Sequence, residues 1–248
     1  MASVSQQVVA RPAPGFLNRN GLIDRYFYLL ISLIVAVVIV AGFSRTVGPG
    51  LVHATPARPV LLWMHGAAFS AWVVFFILQS GLVRIRKVSW HRTLGWFGAA
   101  LAAVMVVLGC VVSVVMGRFD ALVMKAPDPT FLSATFWDML AFGTAVALAI
   151  VWRGKPEVHR RLMVVATCCL LDAGFGRFEY IFDHNLLFWC LDAVILLGVA
   201  RDLLVDRQVH KVYLYALPVL VVGQNVAVYL WRARPEWWMR MCRETLGI

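Results

Sequence analysis

Charge is scarce in this sequence. Only 15% of its 248 residues are Asp, Glu, Lys or Arg, while 61% are apolar and the mean hydropathy is +0.78. Soluble domains are about half apolar and a quarter charged, so the shortage excludes an ordinary soluble domain and makes lipid the solvent. Period-2 alternation is missing too. In hydrocarbon every backbone N–H and C=O needs an internal partner, and long unalternating apolar runs meet that need as helices rather than as a barrel.

Cysteine usage excludes a disulfide framework or a thiol-ligated cofactor motif. The five cysteines, Cys110, Cys168, Cys169, Cys190 and Cys242, are odd in number, four lie inside apolar runs, and neither C-x-x-C nor C-x-x-C-H occurs. They read as small packing residues. Also absent are H-E-x-x-H, G-x-S-x-G, a phosphate-cradling glycine loop, and a lysine within the last apolar run that could form a retinal Schiff base. The net charge of +10 is spread between apolar runs, not gathered into one patch, which argues against nucleic acid and for anionic lipid headgroups.

Seven runs are long enough to cross ~30 Å of hydrocarbon as helices: Tyr26–Phe43, Val60–Val83, Leu94–Met116, Phe136–Trp152, Leu162–Phe182, Asn185–Leu204 and Val212–Trp231. The fifth and sixth carry charges. The expected fold is an all-α membrane protein, a seven-transmembrane helix bundle. Residues 1–20 form an N-terminal arm in which Pro12, Pro14 and Gly15 oppose regular structure, residues 21–231 form the membrane domain, and residues 232–248 form a tail. The run behind the arm is too long for a signal peptide, so no cleavage is expected.

With the N-terminus inside, the inner segments (1–25, 84–92, 153–161 and 201–211) carry 14 Lys and Arg, and the outer segments and tail carry 8. Basic residues favour the cytoplasmic side, which places the N-terminus in the cytoplasm, the C-terminus outside, and the chain in a bacterial-type inner membrane. The tail, RARPEWWMRMCRETLGI, mixes tryptophan and methionine with arginine, the pattern of an amphipathic helix lying in the interface.

Three segments repeat one pattern: WHRTLGW (Trp90–Trp96), VHRRLMV (Val158–Val164) and VHKVYLY (Val209–Tyr215). Each opens a span running outward, which puts His91, His159 and His210 at one depth. Three imidazoles there can ligate a divalent metal, or two can ligate haem iron. The plainer alternative is that the His-Arg and His-Lys pairs hold lipid phosphates and fix helix ends.

These motifs also carry a resemblance. The stretch LLWMHGAAFSAWVVFFILQSGLVRIRKVSWHRTLGWFGAALA, with VHRRLMVVATCCLLDAGFGRF, RDLLVDRQVHK and PEWW, resembles a family of uncharacterised bacterial multi-pass inner-membrane proteins from about Leu61 to the end. Its His-Arg helix starts are similar to those of small bacterial membrane families with suspected haem or oxidase-assembly roles. The resemblance marks His65, Gln79, His91, His159, Arg161, Arg177, Asp202 and His210 as pattern positions. Lys211 stands where the family often has proline after the last histidine.

Ionisable groups within the spans are costly and are functional candidates by default. At about 1.5 Å per residue, His65 lies roughly 8 Å, and Asp138 and Glu179 about 5 Å, below the outer boundary, a set suited to a divalent metal or to acid–base work. Each can also reach water separately at that depth. Asp172, Arg177, Asp192 and Gln224 form a deeper layer. In a continuous fifth helix Asp172 and Glu179 share a face, and the short Asp183–Asn185 connection predicts an Arg177–Asp192 ion pair. Seven spans with an inner N-terminus are similar to the adiponectin-receptor and ceramidase hydrolases, but the last span lacks their H-x-x-x-H.

Three functions stay open. They are a protein binding metal or haem through its histidines and carboxylates, an accessory subunit of a membrane complex or homo-oligomer, and a proton-linked transporter using the mid-membrane carboxylates. No particular cofactor is implied.

Overall fold

Leucine-, valine- and alanine-rich runs satisfy their backbone internally only as helices, and every element among the described residues is helical. The structure is a computed structural model describing residues 19–126 and 128–248, so the expected arm falls largely outside the described residues. Helix α1 spans Arg19–Phe43, α2 Val60–Arg84, α3 Val88–Leu122, α4 Leu132–Val151, α5 Pro156–Cys168, α6 Asp172–Phe175, α7 Glu179–Asp183, α8 Leu187–Val205, α9 Lys211–Ala233 and α10 Glu236–Leu246. Five of these (α1, α2, α3, α4 and α9) are long and apolar enough to cross a membrane. Residues such as Val37, Val40, Val74, Val107, Leu140 and Val222 stand exposed on their outer faces, where lipid is the fitting solvent.

The fifth expected span is not one helix. Leu162–Phe182 divides into the end of α5, the single turn α6, and most of α7. Backbone groups at the breaks take tighter bonds: Leu171 N–H donates to the Cys168 carbonyl (2.9 Å), Gly174 N–H to Leu171 (3.0 Å) and Phe178 N–H to Phe175 (3.0 Å). Such backbone is tolerated at membrane depth only inside protein, and α5 is enclosed, with Val164, Ala166 and Cys168 at 0% exposure. It packs on α1, α4, α8 and α9. Because its register is broken, Asp172 and Glu179 do not share a helical face as expected.

Helix α1 reaches α6 through two glycines. A Cβ at Gly42 would collide with the Gly174 carbonyl, and one at Gly174 would press on Val38 and Ile39. Small residues let helices approach this closely in membranes, and this contact fixes where Asp172 stands.

The tail helix α10 is amphipathic as expected, but part of its apolar face is occupied by protein. Trp238, Cys242 and Leu246 are buried with Leu132 and pack against Val114, Phe136 and Leu230, while Trp237 and Met241 stay exposed.

Candidate functional site

Polar side chains gather at two levels of the bundle. At one end, α5 begins with Pro156, which needs no N–H in a first turn, and α8 ends with Arg201 and Asp202 in its last turns and Asp206 as its C-cap. Arg161 grips Asp202 with two parallel bonds, Nε to Oδ2 (2.8 Å) and Nη2 to Oδ1 (2.6 Å). It also donates to the Glu157 carboxylate (2.7 Å) and to Asp206 (2.9 Å). Arg201 donates to Asp202 (2.8 Å), Asp206 (2.5 Å) and Asp24 of α1. Arg161 is 1%, Arg201 2% and Asp202 0% exposed. Buried charges of this kind persist only when paired and hydrogen-bonded.

The cluster floors an open cleft of about 460 Å³, whose rim includes Asp24, Glu157, Arg160, Asp206, Gln208 and His210. His210 caps α9: its Nδ1 accepts from Val212 N–H at 3.2 Å, and its backbone N–H donates to Asp202 Oδ2 at 3.2 Å. Burial, aided by the Arg161 charge, lowers its pKa from 6.5, so the imidazole is neutral at pH 7 with Nε2 carrying the proton.

Burial alone would raise the Glu157 carboxyl, but bonds and charge from Arg161 and Arg160 prevail and hold it below its ordinary 4.5. A depressed folded-state pKa gives stability that is present above the unfolded value and lost as pH falls through the folded one. Thermal unfolding in detergent should therefore drop in Tm between neutral pH and about pH 3, and Glu157→Gln should flatten that drop. Equal slopes in both proteins would remove Glu157 as a contributor.

The second level lies where the fifth segment breaks. Asp138 on α4 is 5% exposed, and Asp192 on α8 (9%) accepts a 3.1 Å bond from Gln224 Nε2 on α9 (4%). Asp138 and Asp172 lie close enough for each carboxyl to act on the other, the arrangement in which two acids do not readily ionise together. Asp172 also borders a cavity of about 20 Å³ under Asn185, Phe131 and Trp231, room for about one water.

The expected Arg177–Asp192 pair does not form. Arg177 lies over the Phe43 ring at 4.7 Å, and Asp192 is taken by Gln224. The depth match assumed an unbroken helix, and the turns around α6 change both rise and direction.

Of the inner histidines, His91 and His159 face each other with ring centroids 6.1 Å apart, and His159 Nδ1 bonds the Ala149 carbonyl at 2.9 Å. His210 belongs to the charged cleft instead, held there by its capping bond. In the outer set, His65 stacks on Phe69 (4.0 Å), Asp138 turns to Asp172, and Glu179 is exposed. Among the described residues no three His, Cys, Asp or Glu side chains are grouped so as to hold a metal ion.

Sequence reading marked Arg161 and Asp202 but missed Arg201, Asp206, Asp24 and Glu157 as their partners. The available signal was Arg201-Asp202 at the end of an apolar run, where a carboxylate beside an arginine departs from a purely basic flank. No family model, curated protein or solved structure matches the chain.

Proposed function

We propose that this chain is a seven-span protein of a bacterial inner membrane that carries protons across the bilayer, with the Asp138–Asp172 carboxyl pair as its proton-exchanging centre. The observation that carries the reading is the pair itself, an acid buried against another acid at a helix break. A structural lock would pair acid with base, as the Arg161–Asp202 contact does. An intramembrane acid partnered by a second acid gives little stability and suits a site that takes up and releases a proton. Discontinuous helices near the middle of the membrane are where coupling ions bind in transporters, and the water-sized cavity beside Asp172 is lined by Asn185 of the turn between α7 and α8.

The seven crossings are supported by which chain segments meet. Segments around Asp24, Arg160, Arg201 and His210 join at one end. At the other, Arg58 meets Asp120 (3.1 Å), Arg234 meets Asp128 (3.2 Å) and Arg232 meets Asn185. That alternation favours a reading in which α5 to α7 together, and α8, each cross once. The basic-residue count supports a cytoplasmic charged cleft and an outer α10.

The test is proton flux into liposomes holding the purified protein and a trapped pH dye, with the membrane potential clamped. Wild-type protein should dissipate an imposed pH gradient faster than empty liposomes. Asp172→Asn and Asp138→Asn should each slow it by about tenfold or more, the scale of losing a positioned proton-transfer group. Wild-type flux equal to that of empty liposomes would overturn the reading.

A further inference from the structure

The proton-carrying reading leaves the interval between the carboxyl layer and the charged cleft without a carrier. Three hydroxyls occupy that interval: Tyr28 Oη on α1, Thr167 Oγ1 on α5 and Tyr213 Oη on α9 are buried and have no protein partner. Tyr213 and Thr167 are each 1% exposed. Buried hydroxyls left unpaired are rare, because each forfeits its hydration without return. Thr167 does not take the usual bond to the carbonyl one turn back, and the ring of Tyr28 is engaged by Arg160 at 5.0 Å while its hydroxyl stays free.

Their depths form a ladder. Tyr213 Oη lies against Gly198 of α8, where a Cβ would collide with it. Gly198 is four residues from Asp202 and six from Asp192, so the hydroxyl sits about 6 Å beyond the charged cluster and about 9 Å short of the carboxyl layer. Thr167 is six residues beyond Arg161, about 9 Å past the cluster. Tyr213 and Cys168 belong to one core cluster, and Tyr28 packs against it.

We propose that Tyr28, Tyr213 and Thr167 bind a file of water molecules that links the cytoplasmic cleft to the carboxyl layer and relays protons between them. A hydroxyl or water in such a file accepts a proton on an oxygen lone pair as its own O–H proton passes to the next oxygen, so each group ends neutral and one charge has moved. A side chain that only fills space would not need its hydroxyl. This inference rests on the proton-carrying reading for its direction of use, but the water site stands on the hydroxyls alone.

Two measurements on the full-length protein separate those parts. X-ray radiolytic labelling converts water held inside a protein to hydroxyl radicals in place. With each rate normalised to that of the same residue in unfolded protein, Tyr213 should label several-fold faster than the equally buried Phe142, a dry control at 0% exposure. Labelling no faster than Phe142 overturns the proposal. In the liposome assay, Tyr213→Phe and Thr167→Val, which delete the hydroxyls with little change of shape, should each reduce proton flux several-fold. Flux unchanged in both variants overturns the relay even if Tyr213 labels. Wild-type protein without flux but with a labelled Tyr213 sinks the proton-carrying reading while supporting the water site, so the two failures are distinct. Should one variant not fold, the other decides.

Discussion

Replacing Asp202 with alanine should destabilise the bundle by about 3 kcal/mol, read as the free energy of unfolding in detergent, because it strands two buried cations. Asp202 bridges Arg161 and Arg201 from a fully enclosed position, and the remaining carboxylates, Asp206, Glu157 and Asp24, sit at the cleft's open side with side chains 36%, 58% and 40% exposed. They attract the guanidiniums from a wetter environment, where each contact is worth less. Removing the charges together is a different perturbation. The triple change Arg161→Met, Arg201→Leu, Asp202→Leu should recover much of the loss, since a well-packed apolar replacement avoids desolvating ions. A loss below about 1 kcal/mol for Asp202→Ala would mean that the exposed carboxylates suffice and that the pair is no anchor.

The positions of the long helices could be read from the sequence because lipid imposes a length requirement that one chain segment satisfies by itself. Runs placed at Val60–Val83 and Val212–Trp231 became Val60–Arg84 and Lys211–Ala233. The broken fifth segment could not be read this way. LMVVATCCLLDAGFGRF is as apolar as a lipid-facing run, yet its surroundings are other helices, and hydropathy does not distinguish the two. Its break is set by Gly174 against Gly42, more than a hundred residues away in sequence, a contact that no local pattern contains. Charges in the spans were legible as costly, but their partners were not. Depth alone matched Arg177 to Asp192, whereas an aromatic face and an amide satisfy them. At the charged cleft, Arg160, Arg161 and Arg201 all counted as flanking positive charge, and nothing in a residue count separates an arginine facing lipid phosphate from one enclosed by carboxylates. Tyr28, Thr167 and Tyr213 passed as apolar-run residues because a hydroxyl matters only once its surroundings are known.

The same substitution should act with opposite sign at two helical glycines. At Gly66 in α2 an added Cβ meets nothing within 4 Å, so Gly66→Ala removes backbone freedom from the unfolded chain and should leave stability unchanged or raise it by up to about 1 kcal/mol. At Gly42 the added carbon falls on the backbone carbonyl of Gly174, which cannot swing aside as a side chain does. Helix α1 and the α6 turn must separate, and Gly42→Ala should cost about 2–3 kcal/mol, the scale of overpacking in a closely fitted interior. The displacement has a functional reading as well, because α6 begins with Asp172. Displacing that turn changes the placement of Asp172 relative to Asp138, so Gly42→Ala should lower proton flux even at temperatures where the protein stays folded, while Gly66→Ala should leave flux at the wild-type level. Unfolding midpoints in detergent and liposome flux at one temperature, measured on both variants, decide the matter. Two alanine variants with indistinguishable stability would refute the close approach of α1 to α6. A destabilised Gly42→Ala with wild-type flux would keep the contact and remove its link to the carboxyl pair.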